Sequence, residues 1–250
     1  MIIYLNCTAN LGDFVQALPV LSGIQQKYGN IKFLIRPEMR KFKGIKEFLM
    51  FQNIFDEVLF VDEAVIFGDV LQMSSWTREE KNDPNRPIET CRYENWMKDY
   101  YHLDFEVNDN FILRHTTCVG AKGDKYIVGD RWNGPQIDDR RETNVLSFLN
   151  DENKFYFLDY NDSLLDNCSI IYNSNKPFIT NFTGIGMIAD LMNKETYVVW
   201  KPEDWKPEFR NGNDISWDNG KNIKKIFEKH FYLNRKAKLV HADDLYKLIS

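Results

Sequence analysis

The sequence predicts an α/β protein of two Rossmann-like lobes, on three observations. Short β-rich runs alternate with helical patterns. The alternation comes in two blocks, one starting at Ile2 and one at Lys125. Between them, residues 114–124 gather Gly120, Gly123 and polar residues, the composition of a domain boundary. Strand–helix alternation implies a parallel sheet covered by helices. A chain of 250 residues accommodates two such lobes of modest size, placed at 1–118 and 119–250.

In the first block, Ile2-Ile3-Tyr4-Leu5 is the first strand, residues 31–35 the second and residues 57–61 the third. Phe14, Leu18, Leu21 and Tyr28 recur at near-helical spacing between the first two strands. Pro19 lacks an N–H, so it must lie early in that helix or kink it. Residues 39–53 give a second helical stretch. Residues 74–92 are polar, carry Pro84 and Pro87, and predict a long surface loop, with a helix over 93–101 behind it. In the second block, strands are expected at 125–128, 154–158, 169–172, 177–180 and 196–200. Helices are expected at 143–149, 184–193, 220–231 and 243–249, with Asp243 capping the last.

Composition removes several functional classes. Hydrophobic residues make up 43% and charged residues 28%, ordinary for a globular chain. The formal net charge of −5 leaves no broad basic field for nucleic acid or anionic membrane. Cys7, Cys91, Cys118 and Cys168 form no CxxC pair and have no histidine at metal-ligand spacing, so free thiols in a reducing compartment and no metal site are expected. The first residues lack a basic leader and no apolar run approaches a membrane span, so a cytoplasmic location without membrane insertion is expected.

Two turns carry the candidate chemistry. Asn10-Leu11-Gly12-Asp13 follows the first strand and opens the first helix. Ligands of open α/β sheets bind beyond the carboxyl ends of the strands, where a carboxylate can take a proton from an attacking hydroxyl. The alternative for Asp13 is an acidic helix start favoured by the dipole. Thr180-Asn181-Phe182-Thr183-Gly184-Ile185-Gly186-Met187 repeats the arrangement in the second block. A helix N-terminus with a hydroxyl and close-approach glycines suits a pyrophosphate, and equally an ordinary helix start with Thr183 as cap. His102, His115, His230 and His241 share no catalytic spacing and receive no role.

Together these segments resemble the bacterial heptosyltransferases, glycosyltransferase family nine. "LGDFVQALPVLSGIQQKYGNIKFLIRP" is similar to the family's opening, and "FITNFTGIGMIADLMNKETYVVWKP" to its late donor-site motif. "CRYENWMKDYYHLDF" falls at its aromatic-rich helix, and "VHADDLYKLI" resembles its terminal helix. The resemblance implies a GT-B type fold with an interdomain cleft, an acceptor-side first lobe and a nucleotide-sugar-binding second lobe. It implies a glycosyltransferase: metal-independent, inverting transfer from a nucleotide sugar, with no further cofactor. Asp13 is then the general base, with Asn10, Gly12 and Trp76 on the acceptor side. Asn181, Thr183, Gly184, Gly186 and Met187 form the donor side. Arg131 is the best match to the phosphate-binding cation the family places near here, with Arg140 or Arg141 as substitutes and a surface Arg paired with Asp130 or Asp138 as the alternative. On the residues themselves, Trp205 suits stacking on a base and Glu203 or Asp204 suits accepting from a ribose, while a rigid Pro-flanked surface loop is the favoured alternative there. A monomer is expected.

Three departures bear on that picture. Phe182 stands where the family has Asp, and Met187 where it has His, which implies a donor other than ADP-heptose. The chain is also shorter than typical members, mainly in its second lobe. Two acceptors remain open, a saccharide and a hydroxymethylated base in DNA. The Asn-, Lys- and Tyr-rich usage of AT-rich phage genes keeps the second in view, and the net charge favours the first. A nucleotide-sugar-binding module without catalysis is the non-enzymatic alternative. A Rossmann oxidoreductase is disfavoured because no GxGxxG follows the first strand.

Overall fold

The computed structural model describes residues 1–6, 10–75, 81–130, 146, 148–200 and 223–250. The first sheet takes β1 (Ile2–Leu5), β2 (Lys32–Ile35), β3 (Glu57–Phe60) and β4 (Val70–Met73) in the order β3-β2-β1-β4, all parallel. The second takes β5 (Tyr126–Gly129), β6 (Phe155–Phe157), β7 (Phe178–Thr180), β8 (Thr196–Trp200) and β9 (Ala237–His241) in the order β6-β5-β7-β8-β9, again parallel. Each order reverses direction once, between β1 and β4 and between β5 and β7. Those reversals are where open parallel sheets form ligand crevices.

The helices follow from sequence with two instructive differences. Pro19 does lie early: the chain breaks into α1 (Leu11–Val15) and α2 (Leu18–Tyr28), with Pro19 in the first turn of α2. Gly29 ends α2 at φ +76°, a left-handed region that a side chain would strain. A short 3₁₀ turn, Pro37–Lys41, and α3 (Ile45–Phe51) occupy the second helical stretch. The polar segment expected as loop to residue 92 instead turns helical at Ile88, beginning α4 (Ile88–Tyr101). Pro87 at its entrance is a helix-start residue, not a loop breaker.

The strand expected at 169–172 is a correction, because it lies inside α5 (Leu164–Asn173). Leu164, Cys168 and Ile171 are buried at helical spacing, and Ser163 caps the start by accepting from the Asp166 N–H at 3.1 Å. The next helices are α6 (Gly184–Leu191), α7 (Ile223–His230) and α8 (Ala242–Leu248). The cap of α8 is His241, whose Nδ1 accepts from the Asp243 N–H at 3.3 Å, so Asp243 is a first-turn residue. The helix expected over 143–149 lies largely outside the described residues.

Both faces of the second sheet are covered, as a parallel sheet requires. Ile127, Phe178 and Val198 point into a core shared with Phe14, Phe33 and Phe48 of the first lobe. Their neighbours Val128, Ile179 and Val199 point into a second core with Leu245 and Ile249. The period of two along each strand thus assigns one face to the lobe contact and the other to α8. Further links cross the boundary: the Leu113 N–H donates to Leu191 O at 2.9 Å, and the Leu164 N–H to Lys43 O at 2.8 Å. On the edge strand β4, the Trp96 indole N–H donates to Gln72 O at 2.7 Å, while the Gln72 N–H donates to the Tyr101 hydroxyl at 2.8 Å. Those aromatics blunt a sheet edge that would otherwise invite pairing.

Candidate functional site

The turns after β1 and β7 meet across the lobe boundary. A Cβ on Gly184 would lie 2.6 Å from the Gly12 backbone nitrogen, and a Cβ on Gly12 2.6 Å from Met187 Sδ. Gly184 is therefore required by the close approach of α6 to the α1 backbone, whereas a side chain at Gly12 would displace the flexible end of Met187. Gly186 has a similar requirement, since its Cβ would stand 2.9 Å from Thr180 Cγ2. The sequence suggested these positions for ligand approach; the structure gives them a packing reason of their own.

This contact places Asp13, half-buried in α1, beside a set of ionisable groups drawn from two other helices. Glu89 and Arg92 come from α4 and His230 from the end of α7. Arg92 Nη1 donates to Glu89 Oε1 at 2.9 Å. Burial, and then the negative charge of Asp13, push the Glu89 carboxyl up; Arg92 and the Ser75 hydroxyl oppose this. Burial pulls His230 down, against the attraction of Asp13, so its imidazole favours the neutral form.

Gln16 holds the arrangement together. Its Nε2 donates to His230 O at 3.1 Å and to Met187 Sδ at 3.1 Å. Its backbone carbonyl accepts from the Thr90 hydroxyl at 2.9 Å. One buried residue at the end of α1 therefore ties α6 and α7 through its side chain and α4 through its backbone carbonyl. Sequence reasoning counted Arg92 among the cations of the acceptor-side 74–92 loop but gave Glu89 and His230 no role. Pro87 followed by an acidic residue signalled a helix start that would have placed Glu89, but no local signal could bring in His230.

The second turn is built mostly from neutral hydrogen-bonding groups, with the Asp130 carboxylate beside them. The Thr180 hydroxyl donates to Gly129 O at 2.6 Å and lies 3.1 Å from the Thr183 hydroxyl. Asn181 Nδ2 donates to Asp130 Oδ1 at 2.6 Å, and the buried Tyr160 hydroxyl donates to the Asp130 carbonyl. These bonds join the ends of β5 and β7 where the strand order reverses. Thr183 occupies the N-cap position of α6, yet its side chain makes no capping bond. The first-turn N–H groups of a helix have no intrahelical partners and favour an anion. Phe182 packs edge-on to Phe231 with ring centroids 6.1 Å apart, and Met187 is buried against Gln16.

The cations of the 81–92 segment are committed to carboxylates. Arg86 donates through Nε and Nη2 to Asp109, both at 2.6 Å, and through Nη1 to Glu94 at 2.8 Å. Lys81 lies 3.6 Å from Asp99, and Arg92 is paired with Glu89. Arg131, Glu203 and Trp76, expected at the site from sequence, lie outside the described residues, as do Arg140, Arg141 and Trp205. Among the described residues no helix is long and apolar enough to cross a membrane.

No protein-family model matches the sequence, and no curated protein sequence does. Solved structures do match in shape. A glycosyl transferase family 9 protein from Veillonella parvula DSM 2008 superposes with a TM-score of 0.56 at 12% identity, covering 99% of this chain and 87% of the other. The E. coli heptosyltransferase WaaC, solved with ADP, superposes with a TM-score of 0.51 at 12% identity, covering 96% and 93%. With two parallel sheets, each reversing its strand order once at the turns that meet, the chain has the two-lobed GT-B type fold of those glycosyltransferases.

Proposed function

We propose that this protein is a glycosyltransferase that moves a sugar from a nucleotide-sugar donor to a hydroxyl of a saccharide. The observation that carries the reading is the meeting of the Asp13 turn with the N-terminus of α6 across the lobe boundary. It sets a carboxylate beside a helix end suited to a pyrophosphate. Structures of the same fold include a heptosyltransferase solved with ADP, which supports a nucleotide as donor group.

In the proposed reaction Asp13 accepts the proton of the acceptor hydroxyl. The hydroxyl oxygen bonds to the anomeric carbon as the bond from that carbon to the phosphate oxygen breaks. The nucleoside diphosphate leaves with both electrons of that bond. Its charge is met by the first-turn N–H groups of α6 and the Thr183 hydroxyl, with Asn181 and Asp130 shaping the reversal point. Direct displacement inverts the anomeric centre. Phe182 and Met187 stand where the resembling family has Asp and His, and Met187 is buried against Gln16, so those two polar donor contacts are missing and the donor sugar differs from ADP-heptose. A saccharide is preferred to DNA because the net charge is −5 and Arg86 and Arg92 are held by carboxylates, while Lys81 lies in an exposed pair 3.6 Å from Asp99.

The test is a transfer assay with a panel of ADP-, UDP-, GDP- and CMP-sugars against neutral saccharides, phosphorylated saccharides and hydroxymethylated DNA. Transfer to a saccharide that disappears in Asp13→Asn is expected. Transfer to DNA alone would overturn the acceptor, and the absence of transfer with every pair would overturn the enzymatic reading.

A further inference from the structure

The two sheets differ in how their faces are covered. In the first sheet, strand register places Ile3, Phe33, Val58 and Phe60 on one face, and all four belong to the core. The opposite face carries Ile2, Tyr4, Leu34 and Leu59, and none of these joins either core cluster. A parallel sheet normally buries both faces beneath crossover helices. Here the crossover from β3 to β4 is residues 61–69, which form no helix. Leu34 is buried, but Ile2, Tyr4 and Leu59 are only half-buried.

The crossover also turns apolar side chains outward. Val65 is 80% exposed, Ile66 40% and Phe67 85%. Together they present on the order of 400 Å² of apolar surface, the size of patch that marks an interaction site. Beside them lies a surface cavity of about 370 Å³, lined by Ile2, Leu34 and Leu59 of the bare face and by the crossover itself.

We propose that this face is a two-fold interface between two copies of the chain, each inserting Phe67 into the cavity of the other. This departs from the monomer expected on sequence. Projection and recess stand side by side on one surface, the arrangement a self-complementary contact requires. An aromatic side chain in a pocket is a common anchor of protein interfaces. The crossover offers roughly half of the area that a standard interface covers on each partner, about 800 Å², and the half-buried strand face extends the patch. The cavity rim carries both signs of charge, Lys32 with Asp56 and Glu57, so Lys32 of one copy can meet a carboxylate of the other. Lipid is a poorer occupant, because the stretch from Asp62 to Asp69 holds no Lys or Arg to meet an anionic bilayer. Ile2, Lys32 and Glu57 open their strands, so the face lies at the end of the sheet away from the turn after β1, and pairing leaves the proposed transfer site free.

The experiment is sedimentation velocity on the full-length protein across a dilution series from about 100 to 1 μM. The unmodified chain is expected to pass from dimer to monomer within it. Phe67→Glu should weaken the dimer at least roughly tenfold, since it carries a charge into an apolar recess. At the lowest concentration its melting temperature should match that of the unmodified protein, because the side chain is exposed in the single chain. Leu248→Glu, on α8 of the second lobe and 53% exposed, should pair as the unmodified chain does. A monomer throughout the series overturns the inference, as does a dimer that both Phe67→Glu and Val65→Glu leave unchanged. Monomeric protein that floats with phosphatidylcholine vesicles, and no longer does so as Phe67→Glu, also overturns it and assigns the crossover to lipid.

Discussion

The turn after β1 and the turn after β7 both flank the strand-order reversal of their sheets, yet they are built from different chemistry. The first gathers Asp13, Glu89, Arg92 and His230, a partly buried set of ionisable groups. The second offers the neutral groups Thr180, Asn181, Thr183 and a helix N-terminus, with one carboxylate, Asp130, held by Asn181. Proton transfer needs a titratable group, whereas a diphosphate needs donors that stay fixed whatever the pH. Under the proposed function, acid–base work falls to the first turn and anion holding to the second.

The largest expected effect comes from breaking the first turn. Asp13→Asn keeps the shape but cannot accept a proton, so turnover should fall about 10²–10⁴-fold while nucleotide affinity stays constant. Turnover near normal, measured beside calorimetric nucleotide binding, would move the base elsewhere.

Asp190 sharpens the comparison, because it is a buried carboxylate of the second lobe far along α6 from the site. It is 2% exposed, Oδ2 accepts from the Tyr232 N–H at 3.0 Å and Oδ1 has no partner. Burial raises its pKa from 3.8 to about 7, against the Tyr232 N–H and the Arg235 charge. Between pH 4 and 7 the folded form therefore holds a proton that the unfolded form has lost. Its contribution to stability is greatest below pH 4, declines as pH rises through 7 and levels off above. Asp190→Asn should flatten that decline and raise stability at pH 8 by roughly a few kcal/mol. Thermal melts at pH 5 and pH 8 with no difference between variant and parent would exclude the burial cost.

A smaller effect is expected at the joint between the turns. Gly184→Ala sets a Cβ 2.6 Å from the Gly12 backbone nitrogen, which cannot swing away as a side chain would. A loss of about 1–3 kcal/mol is expected, seen as a melting temperature lower by several degrees. Such a variant tests lobe packing, so weakened donor binding in it would not by itself locate the phosphates. Thr183→Ala is the cleaner probe of the second turn. It removes a hydroxyl that makes no capping bond and lies 3.1 Å from the Thr180 hydroxyl, so stability should fall by no more than about 1 kcal/mol while nucleotide Kd rises by up to roughly tenfold. Unchanged affinity would take Thr183 out of the donor site.

The sequence by itself determined the parts whose signal is local. Ile2–Leu5, Lys32–Ile35 and Thr196–Trp200 are apolar runs long enough to mark buried strands, and Pro19 dictated where the first helical stretch breaks. The Gly-Asp and Thr-Gly turns were legible because strand, glycine and helix start are neighbours in the chain. Val70–Met73 and Ala237–His241 escaped because they are edge strands, half exposed and short on apolar pattern. The run Ser169–Tyr172 was read as strand because four residues cannot distinguish a period of 2 from one of 3.6; the capping pair Ser163 and Asp166 could have decided it. Tertiary structure alone decided the surroundings of Asp13. Glu89 and His230 are separated from it by most of a lobe and by nearly the whole chain, and they converge only because Gln16 bonds to three other elements at once. Local propensity carries no record of such convergence, since burial and mutual charge exist only after the helices have packed.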